Sequence, residues 1–309
     1  AGCVTVPAYT TNTTRDHLHV LQNAGVRAVI VSTAKLASAL LPAVVQSESC
    51  QHVISFTPLR AGQGSFTLHH WDALLQGDPA LARDAVDRRI ALIGRRDLAC
   101  IIYTSGTGGS PRGVRQHHGM ILMNMAGTVQ VIAEDFGWSQ QETMLSFLPL
   151  SHAYEHTAGQ FVPIGLGGQI FYAESLEKLA ANIEETHPTL MVVVPRLFEV
   201  LRTRIIKQAE KQGGAAAWLM DKAITLAARR ASGKHSFGDR ALDVLLAATL
   251  KPKIRAKFGG QLKALVSGGA PLNPEIGSFF DTIGLTLLQG YGQTEAGPVI
   301  SCNRPAAGV

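Results

Sequence analysis

Ala99-Cys100-Ile101-Ile102-Tyr103 runs without a break into Thr104-Ser105-Gly106-Thr107-Gly108-Gly109-Ser110-Pro111-Arg112-Gly113-Val114. A short continuous apolar run closed by glycines reads as a strand buried on both faces. The pattern recurs outward in both directions. Upstream, Ala28-Val29-Ile30-Val31 follows a helical stretch from Thr14 to Ala24, with Gly25 between them. Downstream, Gln169-Ile170-Phe171-Tyr172 precedes a helix candidate at Ser175 to Thr186, and Pro195 closes Leu190-Met191-Val192-Val193-Val194. Leu262 to Val266 and Leu285 to Gln289 complete the set. Short apolar strands alternating with helix-length segments predict βαβ units. The expected fold is α/β, with mostly parallel sheets in two packed subdomains joined by crossover helices, divided as 1–95 and 96–309.

The stretch from Arg196 to Ser232 has apolar residues every three or four positions, at Leu197, Val200, Leu201 and Ile205, with Lys207, Glu210 and Lys211 on the wet side. Gly213-Gly214 interrupts it. Two amphipathic helices packed on the sheet are expected, with a partner surface as the alternative. Residues 46–94 look irregular, and His69-His70-Trp71 within them has no evident role. The chain has 309 residues, 46% hydrophobic and 17% charged. That composition supports a sizeable core and excludes a disordered chain. No apolar run approaches the roughly 18 residues of a membrane helix. The net charge of +5 suits anionic ligands. The basic residues are scattered, with no aromatic-rich stripe, so nucleic acid is not expected as a partner. Cys3, Cys50, Cys100 and Cys302 form no CxxC pair, which suits free thiols in a reducing compartment.

The glycine-rich turn carries the chemistry. Glycines let successive backbone N–H groups converge on an anion, and Thr104, Ser105 and Thr107 add hydroxyl donors. Arg112 supplies a charged fork suited to phosphate oxygens. The loop therefore reads as a polyphosphate cradle. A Walker loop needs a lysine-hydroxyl pair that is missing here. A dinucleotide fingerprint needs glycine where Pro111 stands. A plain surface hairpin is the remaining alternative.

Three further segments sit near strand ends or in short loops: Leu148-Pro149-Leu150-Ser151-His152-Ala153-Tyr154-Glu155-His156, Val266-Ser267-Gly268-Gly269-Ala270-Pro271-Leu272 and Gln289-Gly290-Tyr291-Gly292-Gln293-Thr294-Glu295. Together with the glycine-rich turn they resemble the motifs of the adenylate-forming enzymes, the superfamily of acyl-CoA synthetases, luciferases and peptide-synthetase adenylation domains. Thr104 to Thr107 match that family's phosphate loop, whereas Gly108 replaces a threonine and Arg112 a lysine. Val194-Pro195-Arg196 with Glu199 resembles a stretch of the long-chain fatty acyl-CoA synthetases in particular.

The resemblance implies roles. Thr104, Ser105, Gly106, Thr107, Gly108, Gly109 and Arg112 would hold the ATP phosphates. Gly268, Gly269, Ala270 and Pro271 would line the adenine, with Gly269 also next to the acid. Gln289, Gly290, Tyr291 and Gly292 belong to the nucleotide site, with Tyr291 stacking on the base. Thr294 would reach the α-phosphate and Glu295 would hold Mg2+. His152 would lie near the substrate carboxylate and α-phosphate. His156 falls where some members place a gate to the fatty-acid tunnel; a packing histidine, or zinc shared with His152, is the alternative for it. The implied catalytic residues are thus Thr104, Arg112, His152, Thr294 and Glu295. The implied activity joins a carboxylic acid, a long-chain fatty acid in the first instance, to ATP as acyl-AMP and then to coenzyme A as a thioester; a ligase of the same superfamily for an aryl or other acid, or a non-catalytic ATP-binding fragment, is the alternative. Within this resemblance the chain reads as an internal piece of the large domain, without the family's C-terminal lid domain. A cytoplasmic setting is expected, and a basic surface beside an acyl tunnel permits peripheral membrane contact.

Overall fold

The computed structural model describes residues 2–60, 64–104, 110–137, 142–233 and 236–305, the side chain of Leu81 excepted. These fall into two compact units, Ala1–Ile121 and Leu122–Val309.

In the first unit, strands β1 (Ala28–Val31), β2 (His52–Ser55) and β3 (Thr67–His70) form a three-stranded parallel sheet in that order. Helix Thr14–Asn23 begins with a capping box. The Thr13 hydroxyl accepts from Asp16 N–H, and the Asp16 carboxylate accepts from Thr13 N–H at 2.9 Å. Thr33 caps helix Ala34–Gln46 in the same manner, accepting from Leu36 N–H. Leu21, Val31, Leu40, Val44 and Val53 close the core between these helices and the sheet. The stretch 46–94, irregular by its letters, holds β2, β3 and helix Pro79–Ala91. Its strands are only four residues long and carry histidines and a threonine, so no apolar alternation announces them. His69 lies on β3, with its Nε2 3.2 Å from His52 Nδ1, and Trp71 packs on Phe56.

Strands β4 (Leu98–Thr104) and β5 (Arg112–His117) pair antiparallel, Thr104 opposite Arg112. The expectation of a parallel strand here is corrected. The connection between them is of hairpin length, whereas a parallel crossover needs a dozen residues or more. A parallel bridge joins Cys100 of β4 to Thr5.

The second unit is built on a six-stranded sheet. Its strands are β6 (Thr143–Ser146), β7 (Gln169–Tyr172), β8 (Leu190–Val193), β9 (Ala264–Ser267), β10 (Leu287–Gly292) and β11 (Val299–Cys302), in the order β11-β10-β9-β8-β6-β7. All neighbours are parallel except β10 and β11. Side chains alternate across a strand, and both faces are covered. Met191, Val193, Leu265 and Leu287 meet Phe198, Phe279, Phe280 and Leu246 on one face. Leu190, Val192, Ala264 and Leu288 meet Ile132, Tyr154 and Val162 on the other. The expected helix pair is present as Pro195–Gln212 and Gly214–Ala231, hinged at Gly213 with φ +63°. The helix expected from Ser175 begins instead at Leu179. The strand expected to end near Leu288 runs on to Gly292, so the Gly-Tyr-Gly motif lies in β10 and does not follow it. All four cysteines are free. Among the described residues, no helix is long and apolar enough to cross a membrane.

Candidate functional site

In the second unit, β6 leads through Leu148-Pro149-Leu150 into a short turn that ends in a π-helix, Glu155–Phe161. The wider coil shows in Val162 N–H, which donates to Thr157 O, five residues back. π-turns inside helices recur at functional sites. Here the turn carries Glu155 inward, where it is buried and accepts a hydrogen bond of 2.5 Å from Ser146 Oγ. Its other oxygen, Oε2, is buried with no hydrogen-bond partner among the described residues. Burial pushes the Glu155 carboxyl up to about 7, against the smaller downward pull of the Ser146 and Phe147 hydrogen bonds. Gly159 makes this possible, because any Cβ there would run into the Glu155 carboxyl group.

His152 lies just before this turn. Tyr154 N–H donates to His152 Nδ1 at 3.2 Å, so the neutral ring carries its proton on Nε2. Crowding by surrounding protein lowers its pKa, which keeps the ring neutral near pH 7. His152 thus offers an N–H donor and not a charge. His156 differs: its Nδ1 hydrogen-bonds the Leu150 carbonyl at 3.0 Å and its ring meets Phe161 edge to face. Burial lowers its pKa. Its Nε2 is buried with no hydrogen-bond partner among the described residues, so the ring is held at Nδ1 alone. Among the described residues, no group of three or more His, Cys, Asp or Glu side chains is placed to hold a metal ion.

Tyr154 is the hinge of the arrangement. Its hydroxyl donates to Val266 O at 2.8 Å, and its ring lies directly beneath Gly268. A Cβ on Gly268 would stand 2.7 Å from Tyr154 Cζ, so only glycine fits. Gly269 is left-handed, at φ +83°, and is exposed with Ala270 and Pro271 beyond the end of β9. Next after β9 in sequence and beside it in the sheet, β10 carries Gln289, Gly290, Tyr291 and Gly292, the tyrosine ring exposed. Gly292 crosses so close to Pro298 O that a side chain there is excluded. The chain then turns through a 3-10 segment, Thr294–Ala296. Glu295 is exposed on it, with no hydrogen bond or ion pair to another described residue.

Two long-range ties hold that segment. Asn124, from helix His118–Phe136, donates to Ala296 O at 3.0 Å and accepts from Val299 N–H at 2.6 Å. Thr157, from the π-helix, donates to Gly297 O at 3.2 Å. Sequence reasoning missed both residues, because neither stands in a motif and each partner is more than a hundred residues away.

A cavity of about 390 Å³ lies within this unit, between helix His118–Phe136, the π-helix and one sheet face. Ile132, Met144, Val162, Val192, Val266 and Leu288 give it aliphatic walls, and among the described residues no charged side chain lines it. Tyr154 and Gly290 belong to its wall, so it reaches two of the motif segments. His152 and His156 are not among its lining residues.

In the first unit, Thr104 and Arg112 end the two strands of the β4–β5 hairpin, and Arg112 is exposed. His19 Nε2 lies 2.8 Å from Pro111 O, and Tyr103 OH donates to Asn23 at 2.7 Å, so helix Thr14–Asn23 braces the hairpin. A strand follows the loop, which excludes the strand–loop–helix order of Walker and dinucleotide motifs. Ser105, Gly106, Thr107, Gly108 and Gly109 lie outside the described residues.

The family model described as AMP-binding enzyme matches residues 1–308, and the chain belongs to that family. Among curated proteins it is 27% identical to the rat "Long-chain-fatty-acid--CoA ligase ACSBG2", over 98% of this chain and 46% of that protein. It is 32% identical to "Long chain acyl-CoA synthetase 8" of Arabidopsis thaliana, over 66% of this chain and 29% of that one. The chain thus spans about half the length of the first and less of the second. Among solved structures, the A domain of a carboxylic acid reductase from Segniliparus rugosus, in complex with AMP and a co-purified carboxylic acid, matches with a TM-score of 0.65. It is 18% identical, over 97% of this chain and 46% of that one. A benzoate CoA ligase from Burkholderia xenovorans LB400 matches at 0.62 and 21%, over 99% and 49%.

Proposed function

We propose that this chain contributes the nucleotide and acyl sites of an enzyme that activates a long-chain fatty acid with ATP and passes it to coenzyme A. The observation that carries this reading is the aliphatic cavity that meets the Gly-Tyr-Gly strand at Gly290 and the Leu148–His156 segment at Tyr154. Such a space suits an alkyl chain whose carboxylate must end beside a nucleotide.

A carboxylate is a poor electrophile, since oxide would have to leave. Attack of its oxygen on the α-phosphorus of ATP forms a P–O bond and expels pyrophosphate. The coenzyme A thiol then adds to the acyl carbonyl, and AMP departs with the electron pair of the C–O bond while the thiol proton goes to solvent. Residues 104–112 are assigned to the phosphates, with the Arg112 guanidinium toward the expelled group. The His152 Nε2–H is assigned as donor to the carboxylate or α-phosphate oxygen, and Thr294 as a further contact there. Gly268 to Pro271 and Tyr291 would bracket the base. Glu295, an exposed carboxylate without a competing cation partner among the described residues, fits a magnesium ion whose other positions are phosphate oxygens and water. Bound there, the ion would neutralise charge on the transferring phosphoryl group.

The test is isotope exchange between pyrophosphate and ATP, driven by a panel of acids from hexanoate to palmitate with benzoate included. Exchange rising with alkyl length is expected; benzoate outrunning palmitate would sink the fatty-acid assignment. Glu295→Gln should weaken magnesium-dependent ATP binding at least about tenfold while leaving palmitate binding unchanged.

A further inference from the structure

Helix His118–Phe136 lines the apolar cavity with two neighbouring rows at four-residue spacing. Thr128 and Ile132 belong to one row, and Met123, Gly127 and Val131 to the other. Gly127 is the middle of its row, well inside the helix, and glycine is a poor helix former. Its backbone gives no reason for it, because it is not left-handed. Packing gives none either, since a Cβ built on Gly127 meets no atom within 4 Å. Gly159 and Gly165 are different, their absent Cβ atoms making room for Glu155 and Met125. What Gly127 supplies is open space at the exposed mouth of the cavity.

We propose that Gly127 is a specificity-determining residue that keeps this mouth open to a long unbranched alkyl chain, and that a side chain at 127 restricts the site to short acids. The proposal rests on reading the cavity as the acyl site. A side chain at 127 stands in the same row as Met123 and Val131, which also line the cavity. It narrows the passage without touching the packed core. Each methylene excluded from the cavity loses its burial, so the penalty grows with chain length.

The test displaces cis-parinaric acid, a fluorescent straight-chain polyene acid, from the protein with palmitate or hexanoate. Wild type, Gly127→Leu, Gly127→Ala and Ala126→Leu are compared, with circular dichroism reporting the fold. Gly127→Leu should bind palmitate about tenfold more weakly and hexanoate unchanged. Gly127→Ala should show the same trend at smaller amplitude. Ala126→Leu, on the same helix but off the cavity wall, should bind as wild type. Should Gly127→Leu fail to fold, Gly127→Ala carries the comparison, since a methyl group there enters open space. A palmitate-to-hexanoate affinity ratio unchanged from wild type in the folded variants overturns the proposal. Failure of palmitate to displace the probe from wild type overturns instead the acyl reading of the cavity, and the proposal with it.

Discussion

Glu155 puts a titrating group where water does not reach. Its carboxyl titrates near 7 in the folded protein, against about 4.5 when exposed. The folded state therefore holds its proton more tightly than the unfolded chain does. Stability should fall as pH rises from about 4.5 to about 7 and then level off, a loss on the order of 3 kcal/mol from this group. Glu155→Gln keeps an oxygen for Ser146 and does not ionise, so this part of the pH dependence should vanish. Urea unfolding near pH 5 and near pH 8 checks it. Identical pH dependence in variant and wild type would mean that the buried carboxyl titrates at its ordinary value. The neighbouring sequence gives a reason for the glycine four residues on, but no reader of the letters alone could tell that Glu155 turns inward. A glutamate in a polar-looking segment is usually solvated, and only the π-turn reverses it.

Helix His118–Phe136 does two jobs, one with Asn124 and one with its glycine row. Asn124→Ala leaves Ala296 O and Val299 N–H without their side-chain partner. A cost of about 1–3 kcal/mol is expected in urea unfolding. Because that side chain ties down the segment bearing Thr294 and Glu295, calorimetric titration of magnesium–ATP should also show weaker binding. Undiminished affinity would show that the tie serves stability alone. The contact of Tyr154 with Gly268 makes a second prediction. Gly268→Ala should cost about 1–3 kcal/mol by crowding the ring, and Tyr154→Leu should relieve part of that cost in the double variant. Motif letters made Gly268, Tyr291 and Glu295 visible in advance, since each belongs to a short run of fixed order. The supports beneath them were not visible. Asn124, Thr157 and the Tyr154 hydroxyl act on partners that only the folded sheet brings close.

Across the second unit, one mainly parallel sheet divides two apolar layers, and the division was written in the strands. Leu190-Met191-Val192-Val193 is apolar at every position because both of its faces are covered, which is what a continuous run signals. Strands of the first unit were harder to read. Four-residue segments such as β3 carry too few positions for a period to emerge, and β4 looked parallel because only the length of its return distinguishes a hairpin from a crossover. The two layers also differ in consequence. Phe280 fills the solid layer, so Phe280→Ala should cost about 3–5 kcal/mol, read by urea unfolding. The opposite layer is hollow. If its cavity takes fatty acid, palmitate at about a hundred times its dissociation constant should raise unfolding free energy by about 2.7 kcal/mol. Hexanoate at equal concentration should raise it far less.

The widened coil at 155–161 has an evolutionary corollary. An α-helix advances by about 100° per residue, so excising one residue from this coil would restore ordinary winding and swivel what precedes it by about that angle. Tyr154 would then leave its seat under Gly268, and Glu155 would face a different neighbour. A one-codon deletion there would dismantle several contacts at a stroke.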